Sequence, residues 1–448
     1  MPNAPHLNAL DQVSASLAAL ETEVGPVKLS GRVTQVSSES IRVSGLSRVV
    51  CLGDLVEFEG RSAKRQGEII RLDQTDVVVK PLEKVTDIGI GSGASVMGGL
   101  AIHPDMSWCG RIINALGEPI DGVGALSHGV EAFLLDRAPP PAMSRNKISE
   151  AARTGVRVID LFTPLCVGQR VGIFAGSGVG KSTLLGMLAG FGEFDTVVVG
   201  LVGERGREVR EFIDDILGET LSNSVVVAST GDESAMQRRL APKTAMSVAE
   251  YFRSQGHKVL LILDSATRFA HAARDVALAA GEPPVARGYP PSVFADLARL
   301  IERAGPGANG EGSITGIFSV LVDGDDHNDP VSDAIRGLLD GHIVLDRQVA
   351  DAGRYPPVNV LRSASRLADR AWTPEQQELI HRIKGLISQF EDTKDLRLMG
   401  GFQTTGDEQL EKACRLVPRI YEAMRQRADQ VAPTDPFTDL AQALAAED

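Results

Sequence analysis

Residues 175–183 read AGSGVGKST, between the apolar run VGIF (171–174) and the run LLGML (184–188). Between a strand and a helix, such a loop turns successive backbone N–H groups inward and forms a cradle for anionic oxygens. Gly176, Gly178 and Gly180 allow dihedrals and a close approach that a Cβ would block. The helix beginning near Lys181 adds the positive end of its dipole. Gly176, Ser177, Gly178, Val179, Gly180, Lys181, Ser182 and Thr183 are therefore expected to hold a nucleotide's phosphates, with Lys181 reaching the β- and γ-phosphates and the Ser182 hydroxyl on Mg2+. This is a Walker A motif in its required context, with Ala175 where the pattern usually has glycine.

Around this loop, from about residue 150 to 345, β-rich and helical runs alternate. VGIFA, TVVVGLV, SVVVAS, KVLLILD and SITGIFSVLVD are each followed by a helical stretch. The pattern predicts an α/β, RecA-like P-loop domain with a mainly parallel sheet, helices on both faces and ligands at the carboxyl ends of the strands. VLLILD (259–264) ends in Asp264, the Walker B arrangement in which a carboxylate holds Mg2+ through its water shell. In VVVGLVGERGREV (197–209) the strand ends at Gly203, and Glu204 emerges at the same edge. A carboxylate there can orient and polarise an attacking water. The same glutamate also fits an ordinary helix start, since acidic residues favour first turns.

Working outward, residues 23–97 break into short strands separated by Gly, Ser and Asp: VKLSGRVTQVS, SIRVSG, VVCLGDLVEFEG, GEIIRLD and DVVVKPL. They predict a small N-terminal β-barrel. Its single aromatic residue, Phe58, is too few for a base-stacking RNA platform. Within residues 1–22, Leu7, Leu10, Val13, Leu17 and Leu20 draw one helical stripe that either folds back on its own domain or docks another protein. Beyond the nucleotide domain (98–368), residues 369–448 read as a C-terminal helical domain, with helices opening after Thr373-Pro374 and Gly406-Asp407.

With 448 residues there is room for about three domains. A net charge of −13 disfavours general attraction to nucleic acid or anionic lipid. The chain has no apolar run of membrane-spanning length and its first residues lack a secretion signal, so a cytoplasmic protein is expected. Cys51, Cys109, Cys166 and Cys414 lie far apart without a CxxC pair and are read as core fillers. The eight histidines are scattered, so a metal held by side chains alone is not expected.

Several long stretches together resemble one family, the type III secretion ATPases, relatives of the catalytic subunit of rotary ATP synthases. They include CGRIINALGEPIDG (109–122), the run from TGVRVIDLF through the Walker A loop (154–187), GLVGERGREVREF (200–212), GSITGIFSVLVDGDDHNDP (312–330) and YPPVNVLRSASR (355–366). The resemblance covers about residues 108–370, and the chain is most similar to the flagellum-specific branch, with the virulence-injectisome ATPases as the alternative. It implies an Mg2+-dependent ATP hydrolase working as a homohexamer with sites between neighbours. Lys181 and Ser182 would contact phosphate and Mg2+, Glu204 would activate water, Asp264 would be the Walker B acid, and Arg205 would face the γ-phosphate. Tyr355 would pack on adenine, and Arg366 would be supplied in trans from the adjacent subunit. Phe402, in GGFQTTGDE, is a further neighbour of the adenine that is not adopted as a site residue.

The resemblance also implies partners. A stator-like regulatory protein would bind the N-terminal helix, and export chaperones, substrates and the export gate would engage the ring at the cytoplasmic base of the flagellar export apparatus, with membrane association only through partners. Segments 281–291 and 305–312 would lie near the subunit interface or ring pore. Three rivals share the nucleotide core. An RNA-translocating ring fits poorly with the aromatic-poor barrel, a non-catalytic ring subunit would lack the carboxylate at position 204, and an ATP synthase subunit would not carry GERGREV.

Overall fold

The computed structural model describes residues 29–83, 87–191, 193–322, 329–399, 407–430 and 435–445. The proposed docking helix (1–22) and Phe402 lie outside the described residues. The chain divides into two compact units, with the boundary between Gly99 and Leu100.

In the first unit, β1 (Ser30–Val36), β2 (Ile41–Ser44), β3 (Asp54–Glu59), β4 (Lys64–Leu72), β5 (Asp76–Pro81) and β6 (Gly93–Gly99) form a closed barrel in the order β1-β2-β5-β4-β3-β6. Ile41 and Val43, and Val56 and Phe58, alternate with more exposed residues and fill the interior, which is the period-two rule of a half-buried strand; Val77 and Val79 join them from β5, where Val78 and Lys80 are buried too. The expectation named five strand runs. The sixth strand, GASVMGG, closes the barrel against β1 through Ser30↔Ser95 and Gly31↔Ala94. Its glycines leave little side-chain alternation to read. Phe58 is 0% exposed, so its ring belongs to the core and presents no stacking face.

The second unit is built on a nine-stranded sheet. Its path includes β7 (Ile112–Ile113), β8 (Arg170–Ala175), β9 (Thr196–Glu204), β10 (Ser224–Thr230), β11 (Lys258–Asp264), β12 (Ser313–Leu321), β13 (Gly341–Val344) and β14 (Ala364–Ser365), in the order β14-β13-β8-β12-β11-β9-β10-β7. From β13 to β7 every pairing on this path is parallel, and β14 joins antiparallel. The central strands are buried on both faces and read as near-continuous Val, Leu and Ile, as strands covered by helices on both sides do.

Helices α1 (Lys181–Gly190), α2 (Ala235–Ser254), α3 (Ala266–Ala279), α4 (Pro291–Arg303) and α5 (Pro330–Leu338) follow the strands. Ser234, Ser265 and Asp329 cap three of them by accepting backbone N–H groups of the first turn. The C-terminal part supplies α6 (Pro374–Asp392) and α7 (Glu408–Ala423), which start where the sequence places them. Thr373 and Gln376 form a capping box on α6, and Asp407 caps α7. A further helix, α8 (Pro436–Ala445), follows within the same helical part. The cysteine expectation holds for Cys166 alone: Cys51 is exposed, and Cys109 and Cys414 are half-buried.

Candidate functional site

Parallel pairing in register brings four chain segments to one edge of the sheet. Ala175 of β8 stands opposite Leu321 of β12, Leu263 of β11 opposite Phe318 of β12, and Leu201 of β9 opposite Asp264 of β11. Across the edge, therefore, come the glycine loop, Ser319, Asp264 and Glu204, from four neighbouring strands.

The loop leaves β8 at Ala175 and enters α1 at Lys181. Gly178 (φ 76°) and Gly180 (φ 90°) take left-handed backbone, and Gly180 is the N-cap residue just before α1. Arg347 Nη2 donates to the Ser177 carbonyl at 2.8 Å and pins the loop from outside. Ser182 and Thr183 are exposed on the first turn. The Lys181 ammonium, by contrast, is folded inward: it ion-pairs with the Asp264 carboxylate, donates to Ser319 Oγ at 3.4 Å and lies 4.0 Å from Glu204 Oε1.

Glu204 owes its aim to Gly203. Between Val202 and Glu204 the register with β10 slips, and Gly203 sits at φ 70°. A Cβ there would come within 3.3 Å of Arg268 Cβ. The bulge turns the next side chain toward Lys181, a use of irregular strand ends that recurs beside reactive sites. Burial raises the Glu204 carboxyl to about 7; the nearby Lys181 and Arg268 cations oppose the rise, while Asp264 and a hydrogen bond with Glu208 add to it. Glu204 Oε1 and Arg268 Nε are both buried without a hydrogen-bond partner. Orphaned polar atoms of this kind, facing one another's charge at a strand edge, call for a polar ligand.

The remaining site candidates are spread more widely. Arg205 is 82% exposed at its side chain and pairs with Glu208 at 3.3 Å, outside the Lys181, Asp264 and Glu204 cluster. Tyr355 is 50% exposed, so it is no core residue, and its ring stands beside Gly180. It lines a cavity of about 410 Å3 with Gly180, Thr183, Pro356, Gln426 and Asp429. Arg366 is exposed and follows β14, with its backbone N–H on the Asp340 carbonyl. Since Ser365 pairs with Gly341, and Gly341 with Val171, Arg366 lies at the end of the sheet opposite its own glycine loop.

Three functional neighbours escaped the sequence reading. Ser319 shows there only as a polar residue interrupting the apolar run GIFSVLV, and Arg268 only as a charge on a helix. Gln426 had no signal at all. It is 5% exposed, its backbone N–H donates to the Tyr355 carbonyl, and its side chain bridges the Arg157 N–H and the Gly155 carbonyl. A separate cavity of about 540 Å3, between residues 346–362 and helices α6 and α7, includes none of these site candidates.

A parallel sheet that brings a lysine-tipped glycine loop and two strand-end carboxylates to one edge defines a P-loop nucleoside triphosphatase of the RecA-like kind. Residues 155–365 match the ATP synthase alpha/beta family, nucleotide-binding domain, and residues 372–446 match the T3SS EscN ATPase C-terminal domain. The chain belongs to the flagellum-specific ATP synthase family: it is 56% identical to the flagellum-specific ATP synthase of Rhizobium meliloti (strain 1021) across 97% of its own length and 94% of that protein's. Among solved structures, the assembled ATPase EscN of the enteropathogenic E. coli type III secretion system superposes with a TM-score of 0.86 at 37% identity, covering 93% of this chain and 100% of that one. EscN in complex with its central stalk EscO gives 0.84 at 36% identity over the same shares.

Proposed function

We propose that this chain hydrolyses ATP with Mg2+ as a homohexameric ring at the cytoplasmic base of a flagellar export apparatus, where it helps unload or unfold chaperone-bound substrates. The observation that carries the hydrolytic reading is Glu204: a carboxyl raised to about 7, 4.0 Å from Lys181 and on the edge that holds Asp264. A general base works best with a pKa near the operating pH, and a nucleotide-binding subunit without turnover has no use for one. The flagellar assignment follows the 56% identity, against 37% to the injectisome ATPase EscN, which stays the second reading.

The residues present suit a nucleotide and its metal. Among the described residues no group of three His, Cys, Asp or Glu side chains converges as a metal cage. Mg2+ would be held by the Ser182 hydroxyl and, through water, by Asp264, the rest of its shell coming from phosphate oxygens. When bound, it neutralises charge on the terminal phosphates. The loop amides and Lys181 hold those phosphates, Glu204 accepts a proton from the attacking water, and Tyr355 packs on the adenine in the 410 Å3 cavity. Little covalent work falls to the protein, so positioning dominates.

Arg366 stands at the far end of the sheet from its own loop, which suits an arginine donated to a neighbour's site. A trans arginine of this kind is worth about 10³–10⁵ in rate. Arg205, exposed in the free chain, would need to turn inward to meet a γ-phosphate. The division of labour we propose follows the sequence: a docking helix (1–22) for a stator-like protein, a barrel (23–97), a nucleotide domain (98–368) and a helical domain (369–448).

Specific ATPase activity measured against protein concentration tests the ring. A steep rise is expected, together with recovery of activity when inactive Lys181→Ala and Arg366→Ala chains are mixed. A flat concentration dependence, with no recovery, contradicts the shared site. Pull-down of export chaperones from flagellated cells, against injectisome chaperones, separates the two export readings.

A further inference from the structure

We propose that Ser319 is a positioning residue of the hydrolytic site, which keeps Asp264 in place when Lys181 leaves it for the nucleotide. The inference rests on the reading of Lys181 and Asp264 given above, and concerns a residue outside both Walker motifs.

Ser319 is fully buried on β12, in register with Ile173 of β8 and close to the end of the strand. Its hydroxyl hydrogen-bonds to both partners of the Lys181 and Asp264 ion pair. It donates to Asp264 Oδ1 at 2.6 Å and accepts from Lys181 Nζ at 3.4 Å. Both donors, Lys181 and Ser319, converge on the same carboxylate oxygen.

Only one of those donors is permanent. The Lys181 side chain must swing to the phosphates to do its work, and the carboxylate it abandons is 3% exposed. A buried carboxylate stripped of its cation turns toward whatever other donor is in reach, which would spoil its aim as an acceptor for a metal's water shell. The Ser319 hydroxyl moves with neither the loop nor α1, because it is anchored in the middle of the sheet. It holds one oxygen of Asp264 through the exchange and leaves the other for the water around Mg2+. A serine in an otherwise apolar run, GIFSVLV, has this reason to be there.

The experiment compares full-length wild type with Ser319→Ala, Ser319→Thr and Ser319→Cys. Binding of the fluorescent analogue methylanthraniloyl-ATP is measured in EDTA and across a Mg2+ titration, beside the Mg2+ dependence of ATPase and the thermal midpoint. Cysteine fills the space but bonds weakly, so it reports on the hydroxyl even where alanine perturbs folding. In EDTA all four are expected to bind the analogue alike. With Mg2+, Ser319→Ala and Ser319→Cys are expected to need about tenfold more metal for half-maximal tightening and half-maximal ATPase, the scale of one hydrogen bond to a charged group. Ser319→Thr restores the wild-type curve. A wild-type Mg2+ requirement in either folded variant overturns the proposal, as does a threonine variant that fails to restore it. Asp264→Asn separates the two levels. If it keeps hydrolysis and metal-dependent tightening, the reading of the site fails, and if it loses both while the serine variants behave as wild type, only the role of Ser319 fails.

Discussion

A glutamate buried beside a lysine makes a quantitative demand on the pH profile. Burial lifts the Glu204 carboxyl from an ordinary 4.5 to about 7, with its side chain only 17% exposed. That difference disfavours the ionised form by about 3 kcal/mol. With a pKa near 7, roughly one carboxyl in ten is ionised at pH 6 and nine in ten at pH 8, so kcat/KM for ATP should rise about tenfold from pH 6 to pH 8. The assay is steady-state hydrolysis at subsaturating ATP, with free Mg2+ held constant. Glu204→Gln should retain nucleotide binding and lose hydrolysis. A limb centred near 4.5, or a glutamine variant hydrolysing at the wild-type rate, refutes the assignment of Glu204 as the base. The same shift has a thermodynamic sign. Between about 4.5 and 7 the folded chain holds a proton that the unfolded chain has released, so this group's contribution is full below pH 4.5 and is lost as pH rises through 7. Urea melts of the nucleotide-free protein should show Glu204→Gln gaining on wild type across that window.

Other substitutions probe separate links. Gly203→Ala places a Cβ at φ 70° against Arg268, so it should cost about 1–2 kcal/mol of stability and, by re-aiming Glu204, a much larger share of kcat; denaturant midpoints beside turnover check this. Arg303 and Glu250 form a pair only 2% and 1% exposed, and Arg303 also donates to Ser247 and to the Leu135 carbonyl. Arg303→Ala leaves an unpartnered buried carboxylate and should destabilise the chain by about 3–5 kcal/mol, read from urea unfolding. Tyr355→Ala should raise KM for ATP with little change in kcat, because its ring packs on the base and not on the reacting phosphate; steady-state kinetics decides.

Local signals and tertiary placement divide what was legible. The glycine loop, the Asp264 strand end and the helix starts at Thr373 and Asp407 rest on chemistry within a few residues of chain, and the structure places them where the sequence does. The barrel strands with clean alternation were legible too, but β6, with three glycines in seven residues, was not. Ser319, Arg268 and Gln426 gain their meaning only when the sheet order sets β12 between β8 and β11, and when residues 426–429 pack against the loop after Tyr355. No spacing in the chain announces that meeting. Cys51 misled for a related reason: an isolated cysteine carries no pattern to tell a core position from a surface turn.

The edge formed by the glycine loop, Asp264 and Glu204 is tested most directly by a crystal structure with a non-hydrolysable ATP analogue and Mg2+. Lys181 should be found detached from Asp264 and bonded to the terminal phosphates, with the base against Tyr355 and a water within reach of Glu204. An analogue bound elsewhere, or Lys181 still paired with Asp264 beside an empty loop, would contradict it.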